Sequence, residues 1–358
     1  MAIQDFVRDA SRWMREDGPH SDIVISTRIR IARNLSEHSF PLLVDELQAQ
    51  AILEKVKSAV LSPEFAEAGQ GRYEFLSLRD VPELDQQALM EKYLISPTLV
   101  EHSQRSGVVL REDEAVSIMI NEEDHLRLQV LMPGLQLDHA WALANSIDDL
   151  LESKLNYAFD ERYGYLTACP TNVGTGIRAS VMLHLPALVV TQQINRVLSA
   201  ISHVGLVVRG VYGEGTEAVG NLFQLSNQIT LGQSEEEIIQ NLESVALKII
   251  EHEQAAREFL IRENREVIED RVARSFGILA YARRLDAKEA MQRLSDVRLG
   301  IDLGVIKGVS KNILKELMVM TQPAFLQRYV GAALAPGERD WRRAALVRER
   351  LRMDEGHI

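Results

Sequence analysis

Five arginines and a small set of acids have types and spacings suited to one kind of chemistry. Arg28 and Arg30 lie in segment 22–31 (DIVISTRIRI), and Arg127 follows the acidic tetrad NEED at 121–124. Arg178 ends a glycine-rich run that starts at Cys169 (CPTNVGTGIRAS), and Arg209 stands near the start of VVRGVYGEGTE at 207–217. A triphosphate in transfer spreads charge over equatorial oxygens, and forked planar guanidinium groups neutralise such charge better than lysine does. Glycines at 174, 176, 210, 213 and 215 would let backbone N–H groups approach those oxygens. The G-x-x-x-x-G-K-[ST] loop and the H-R-D set of protein kinases are both missing from the sequence.

The acids suit an acceptor that is itself a guanidinium. That group is protonated and delocalised, hence a poor nucleophile. Phosphorylating it requires carboxylates that grip the cation, align one nitrogen and take its proton. Glu122, Glu123 and Glu214 are of the right type, and Cys169, at a strand-to-loop junction beside arginines, could present a thiolate to the same group. Each residue also has a plain reading: strand arginines often sit on solvated faces, a lone cysteine is commonly a small core residue, and a glycine-rich turn is often only a turn.

These residues need elements to hold them. In segment 22–31 a period of two sets Ile23, Ile25, Thr27, Ile29 and Ile31 on one face, with Ser26, Arg28 and Arg30 on the other. Segments 115–120 and 126–131 read as strands joined by the NEED turn, an antiparallel hairpin. Further strands are expected at 163–168, 205–211 and 222–231, with helices at 45–61, 138–159 and 186–203. Beyond Gly232 strand signals stop. Ser234 and Glu237 form a capping box, and helices are expected at 234–262, 263–283, 287–298, 310–320, 323–330 and 338–352. The expectation is therefore an α+β domain over residues 1–245 and an all-helical one over 246–358.

Composition limits the partners. Of 358 residues, 46% are hydrophobic and 26% charged, as in an ordinary globular protein. The net charge of −12 disfavours general attraction to nucleic acid or anionic membrane. Cys169 is alone, so an internal disulfide is impossible and a reducing cytosol is the natural compartment. The opening MAIQDFVRDASRW does not read as a signal peptide, and apolar runs such as 185–190 are far too short to span a bilayer. A cytoplasmic location is expected.

The segments STRIRIARN, NEEDHLRL, CPTNVGTGIRAS and RGVYGEGTE, in this order, resemble the catalytic motifs of phosphagen kinases, the creatine and arginine kinases. The resemblance implies an eight-stranded antiparallel sheet flanked by helices, with ATP as phosphoryl donor and Mg2+ held through its phosphates. It implies nucleotide contacts from Arg28, Arg30, Arg127, Arg178 and Arg209, with Ser26, Ser180 and Gly210 in the same motifs. Glu123 and Glu214 would be the substrate carboxylates and Cys169 the guanidinium-orienting thiol.

Three departures narrow the resemblance. The first motif begins by residue 26, which leaves no room for the helical domain that closes over free guanidino substrates. Met182 and Tyr212 stand where phosphagen kinases usually carry His and Arg, and the helical C-terminal region has no counterpart there. Together these features resemble the bacterial protein arginine kinases of the McsB family. That likeness implies phosphorylation of arginines in proteins, marking of clients for the Clp protease with its ATPase, silencing of the heat-shock repressor CtsR, an adaptor McsA and a homodimer. It also implies a phosphoarginine pocket of pattern R-D-x-x-R-A, matched by Arg339, Asp340, Arg343 and Ala344. Two other readings stay open: a kinase of a free guanidino metabolite, and a phosphoarginine-binding adaptor with a vestigial catalytic half.

Overall fold

The computed structural model describes residues 3–68, 71–201, 205–210 and 218–355. Among the described residues there are ten strands: β1 (Val24–Arg33), β2 (Tyr73–Ser77), β3 (Gly107–Arg111), β4 (Val116–Ile120), β5 (Leu126–Pro133), β6 (Phe159–Asp160), β7 (Gly164–Tyr165), β8 (Ile177–His184), β9 (Leu206–Gly210) and β10 (Leu222–Asn227). Eight of them build one sheet in the order β2-β3-β4-β5-β1-β8-β10-β9, with every neighbouring pair antiparallel. This is the expected antiparallel sheet flanked by helices and followed by a helical region.

The sheet's two faces differ because its strands alternate. Ile29, Ile31, Leu128, Val130, Ala179 and Val181 pack on one side in a core shared with the helices Leu137–Glu152 and Glu235–Glu263. The other face is covered at two separate places. Leu131, Met182 and Leu222 meet the helices Ala287–Asp302, Ile313–Met320 and Pro336–Glu355. Val108, Leu110 and Met119 meet the helices Ile3–Arg8 and Glu83–Glu91. The polar stretch left between these two covers is where the arginines stand.

Several sequence expectations shift in the structure. A bulge between Val24 and Ser26 moves Ile25 into the core of Leu131 and Met182, away from Ile29. The helix expected over 138–159 ends at Glu152, because Tyr157 bridges to Leu35 and Phe159 pairs with Tyr165. The helix expected over 186–203 is two short ones, Pro186–Val190 and Ile194–Ile201, parted by Gln192 at φ +58°. Strands β2, β3 and β8 had no counterpart in the sequence reading, and the strand expected at 163–168 is reduced to the two residues of β7.

Helix Glu235–Glu263 starts with the expected capping box: Glu237 N–H donates to Ser234 Oγ at 3.2 Å and Ser234 N–H to Glu237 Oε2 at 2.9 Å. Residue 245 lies inside this helix. Its buried Glu253 accepts the N–H groups of Ala187 and Leu188, both at 3.0 Å, and pairs with Arg257 at 3.0 Å. Arg257 also meets Asp22 at 3.4 Å and Asp302 at 3.5 Å. Among the described residues no helix is long and apolar enough to cross a membrane.

Candidate active site

Strand register gathers the arginines. Arg28 stands opposite Ser180 and Arg30 opposite Arg178 across β1 and β8, while Arg127 on β5 stands opposite Ala32, two residues along β1 from Arg30. Arg209 on β9 faces Gln224 on β10, which in turn faces Met182, itself opposite Ser26. Partners across a ladder share a face, so all five arginines, with Ser26 and Ser180, project from one side of the sheet. Gly210 lies opposite Phe223, one residue out of phase, and can offer only backbone there.

This cluster is electrostatically frustrated. Burial lowers the pKa of Arg30 well below the ordinary arginine value, and Arg28, Arg127 and Arg178 add repulsion. Burial likewise lowers Arg28, with repulsion from Arg127 and Arg178, and lowers Arg178, with repulsion from Arg209 and Arg127. Guanidinium groups stay protonated in proteins, so these shifts express first the cost of burying charge and second the repulsion among the arginines. Among the described residues no carboxylate comes within ion-pair distance of Arg28, Arg30 or Arg178, and the buried Nε of Arg30 has no hydrogen-bond partner. A polyphosphate fits such a cradle, since it supplies both the missing charge and the missing acceptors.

The acids approach from the β4–β5 hairpin. Asn121 adopts φ +57°, a left-handed conformation that asparagine tolerates, and its amide donates to Ala49 O and Arg105 O, both at 2.9 Å. Thus the turn is held at its first residue. Glu122 is buried, accepting from Ser96 Oγ at 2.6 Å and pairing with Arg127 at 3.0 Å. Glu123 pairs with Arg127 at 2.7 Å yet keeps 42% of its side chain exposed, so it is the carboxylate open to an incoming group. Asp124 is buried and accepts from Asn34 Nδ2 and from Ala168 N–H, both at 2.7 Å.

That last bond fixes the segment before Cys169. The thiol is half-buried, 3.0 Å from Thr171 Oγ1, at the start of the turn Pro170–Asn172. Arg30, Glu123, Arg127, Cys169, Thr171 and Arg178 line one pocket of about 160 Å³. Two glycines expected to face phosphate have another reason to be glycine. A Cβ on Gly174 would come 2.3 Å from Thr230 O, and one on Gly176 would come 2.7 Å from Ala32 O. Glu214, Tyr212 and the glycines at 213 and 215 lie outside the described residues.

Other contributors carried weaker signals. Gln224 accepts from Arg28 Nη2 at 3.1 Å, and Asn227 bonds the backbone of Ala179 beside Arg178. Both lie in a segment read only as a strand; Gln224 alternates with Phe223 and Leu225, whereas Asn227 falls in phase with them as a polar residue on the apolar face.

In the helical region, Arg339 and Asp340 are half-buried near the start of helix Pro336–Glu355. Asp340 pairs with Arg343 at 2.8 Å and with exposed Arg284 at 3.3 Å. Arg343 is buried, and it also donates to Thr321 O at 2.8 Å and Leu285 O at 2.9 Å.

Residues 51–256 match the family model described as ATP:guanido phosphotransferase, C-terminal catalytic domain, the class that the sheet and its arginine face define. Residues 265–357 match the model described as Protein-arginine kinase McsB C-terminal domain. The chain is 59% identical over 356 residues to the protein-arginine kinase of Brevibacillus brevis, covering 99% of each. It is 54% identical over 355 residues to that of Bacillus subtilis, covering 99% of this chain and 97% of the relative. The chain therefore belongs to the protein-arginine kinase family, enzymes that phosphorylate arginine side chains of proteins. Its fold is also that of a solved lombricine kinase, with a TM-score of 0.56 and 24% identity over 69% of this chain and 72% of that one.

Proposed function

We propose that Arg28, Arg30, Arg127, Arg178 and Arg209 hold the nucleotide phosphates, aided by Ser26, Ser180 and the Gly210 backbone, while Glu123 and Glu214 grip the acceptor guanidinium. The observation that carries this reading is the shared pocket, in which Glu123 and Cys169 face Arg30, Arg127 and Arg178. A guanidinium nitrogen bonds to the γ-phosphorus as the bond to the ADP oxygen breaks, and Glu123 takes the proton that nitrogen loses. Cys169 orients the same guanidinium, and the arginines neutralise charge gathering on the transferred group and the leaving oxygen. The described residues hold no group of three or more side chains suited to a metal, so Mg2+ would be held through the nucleotide phosphates, where it adds further neutralising charge.

In this reading residues 1–245 carry the transfer, and residues 246–358 recognise phosphoarginine through Arg339, Asp340 and Arg343. Marked proteins would pass to a Clp ATPase and protease, with the repressor CtsR and the adaptor McsA as partners, in the cytoplasm and as a homodimer. The match of residues 265–357 to the McsB C-terminal domain supports this setting.

The test incubates casein with the chain and Mg-ATP, then maps phosphoarginine by mass spectrometry at neutral pH. Glu123→Gln is expected to abolish the label while ATP still binds. Loss of ATP binding in that variant would remove Glu123 from the acceptor role.

A further inference from the structure

A protein acceptor brings its own backbone within one arginine side chain of Glu123, so the surface beside that carboxylate must meet the residues flanking the target. Glu123 borders two cavities. One is the pocket with Cys169; the other, of about 310 Å³, is lined by Pro41, Leu42, Thr98 and His102 on one side and by Glu122, Glu123, Arg105 and Arg127 on the other. Leu42, Leu43 and Leu47 are 86%, 80% and 84% exposed. One exposed leucine is ordinary; three within six residues, running from the connection into the first turn of helix Glu46–Val60 beside the cavity that Glu123 borders, form an apolar ledge.

This ledge is exposed yet anchored, and its anchor is the catalytic hairpin. His125, directly after the NEED tetrad, accepts Leu35 N–H on Nδ1 at 3.0 Å, and its Nε2 meets Ser39 O at 2.8 Å. Arg105 donates to Val44 O at 3.4 Å, and Asp45 accepts Gln48 N–H at 2.8 Å to cap the helix Glu46–Val60. The leucines are therefore held in fixed register with Glu123 and need little ordering on binding. Within the cavity wall, His102 Nδ1 is buried and has no hydrogen-bond partner among the described residues.

We propose that segment 41–47 is a docking ledge for an extended polypeptide, which seats an apolar neighbour of the target arginine on Leu42, Leu43 and Leu47 while Glu123 receives the guanidinium. This proposal rests on the transfer role given to Glu123 above. Selectivity then lies in the residues beside the arginine: the pocket reads its charge, and the ledge reads its apolar flank.

The test uses two peptides of equal length and charge, one with the target in Leu-Arg-Leu and one in Ser-Arg-Ser, phosphorylated by the full chain with Mg-ATP. The wild-type kcat/KM is expected to be about tenfold higher for the apolar peptide, the scale of one seated leucine. The variant L42S/L43S/L47S should make the two peptides equal by raising KM for the apolar one, without moving the KM for ATP. Equal kcat/KM values in the wild type, or a preference that survives in the variant, would overturn the proposal. If the variant sediments as a smaller species and loses both peptides alike, the ledge joins two copies of the chain and the proposal fails. If the wild type labels neither peptide while binding ATP, the transfer role of Glu123 fails first and takes the ledge with it.

Discussion

Arg30 and Arg178 stand directly opposite each other on β1 and β8, two like charges in register on neighbouring strands. Such pairs destabilise a sheet, and here Arg28 and Arg127 add repulsion to a half-buried Arg30. The arrangement makes sense for a surface built to receive an anion, because each phosphate oxygen relieves a repulsion that folding leaves in place.

Arg178→Met should therefore raise the stability of the nucleotide-free protein by roughly 0.5–1 kcal/mol while sharply reducing the stabilisation given by ATP. Thermal unfolding with and without Mg-ATP reads both effects. A lower melting temperature for the nucleotide-free variant would mean that Arg178 supports the fold and is not under repulsion.

His125 sets a pH dependence. Its burial, with a smaller contribution from His38, pushes its pKa down to about 4. The unfolded chain takes up this proton near pH 6.5 and the folded chain only near 4, so the group's contribution is intact above pH 6.5 and falls away as pH drops towards 4. The full loss is roughly 3 kcal/mol. Urea midpoints between pH 7 and 4 should fall more steeply for the wild type than for His125→Gln, and parallel curves would refute the assignment.

Asp124 acts through the segment before Cys169, since its carboxylate holds Ala168 N–H and Asn34 at 2.7 Å each. Asp124→Ala should lower kcat by about 10- to 100-fold, the scale of a misplacement near 1 Å, with little change in the KM for ATP. Alkylation of Cys169 should accelerate in the same variant as its turn loosens. An unchanged alkylation rate would leave Asp124 without this positioning role.

The arginines of the helical cluster should separate by experiment. Arg343 is buried among Asp340, Thr321 O and Leu285 O, so Arg343→Ala should cost about 3–5 kcal/mol of stability by stranding those partners. Arg339 is only half-buried, and Arg339→Ala should change stability by about 0.5 kcal/mol or less while weakening phosphoarginine binding in calorimetry. Equal destabilisation by the two variants would place Arg339 in the scaffold with Arg343.

How much of this was legible depended on whether a residue's role is local. The alternation that aligns Arg28 with Arg30 is written in β1 itself, and the turn at Asn121 announces a hairpin. Strand β2 (YEFLS) is half-buried along its length and β3 (GVVLR) is buried on both faces, so neither shows a period of two. Their places follow from long-range pairing, which no short window contains. The bulge at Val24, the hold of Asp124 on Ala168 and the burial of Arg343 are likewise set by distant partners. Gly174 and Gly176 were read for ligand contact, whereas the backbone of Thr230 and Ala32 dictates them.

Helix Glu235–Glu263 bears on how such a molecule can be rebuilt. Its Glu253 seats the start of helix Pro186–Val190, and the sheet residues Leu131, Met182 and Leu222 share a core with the helices that follow. A chimera spliced at residue 245 would inherit a foreign carboxylate over that seat and a foreign lining beneath Met182. Exchange of the helical region between relatives should therefore succeed only when the whole helix stays with the sheet whose residues it seats, and when the incoming helices match the side chains of Leu131, Met182 and Leu222.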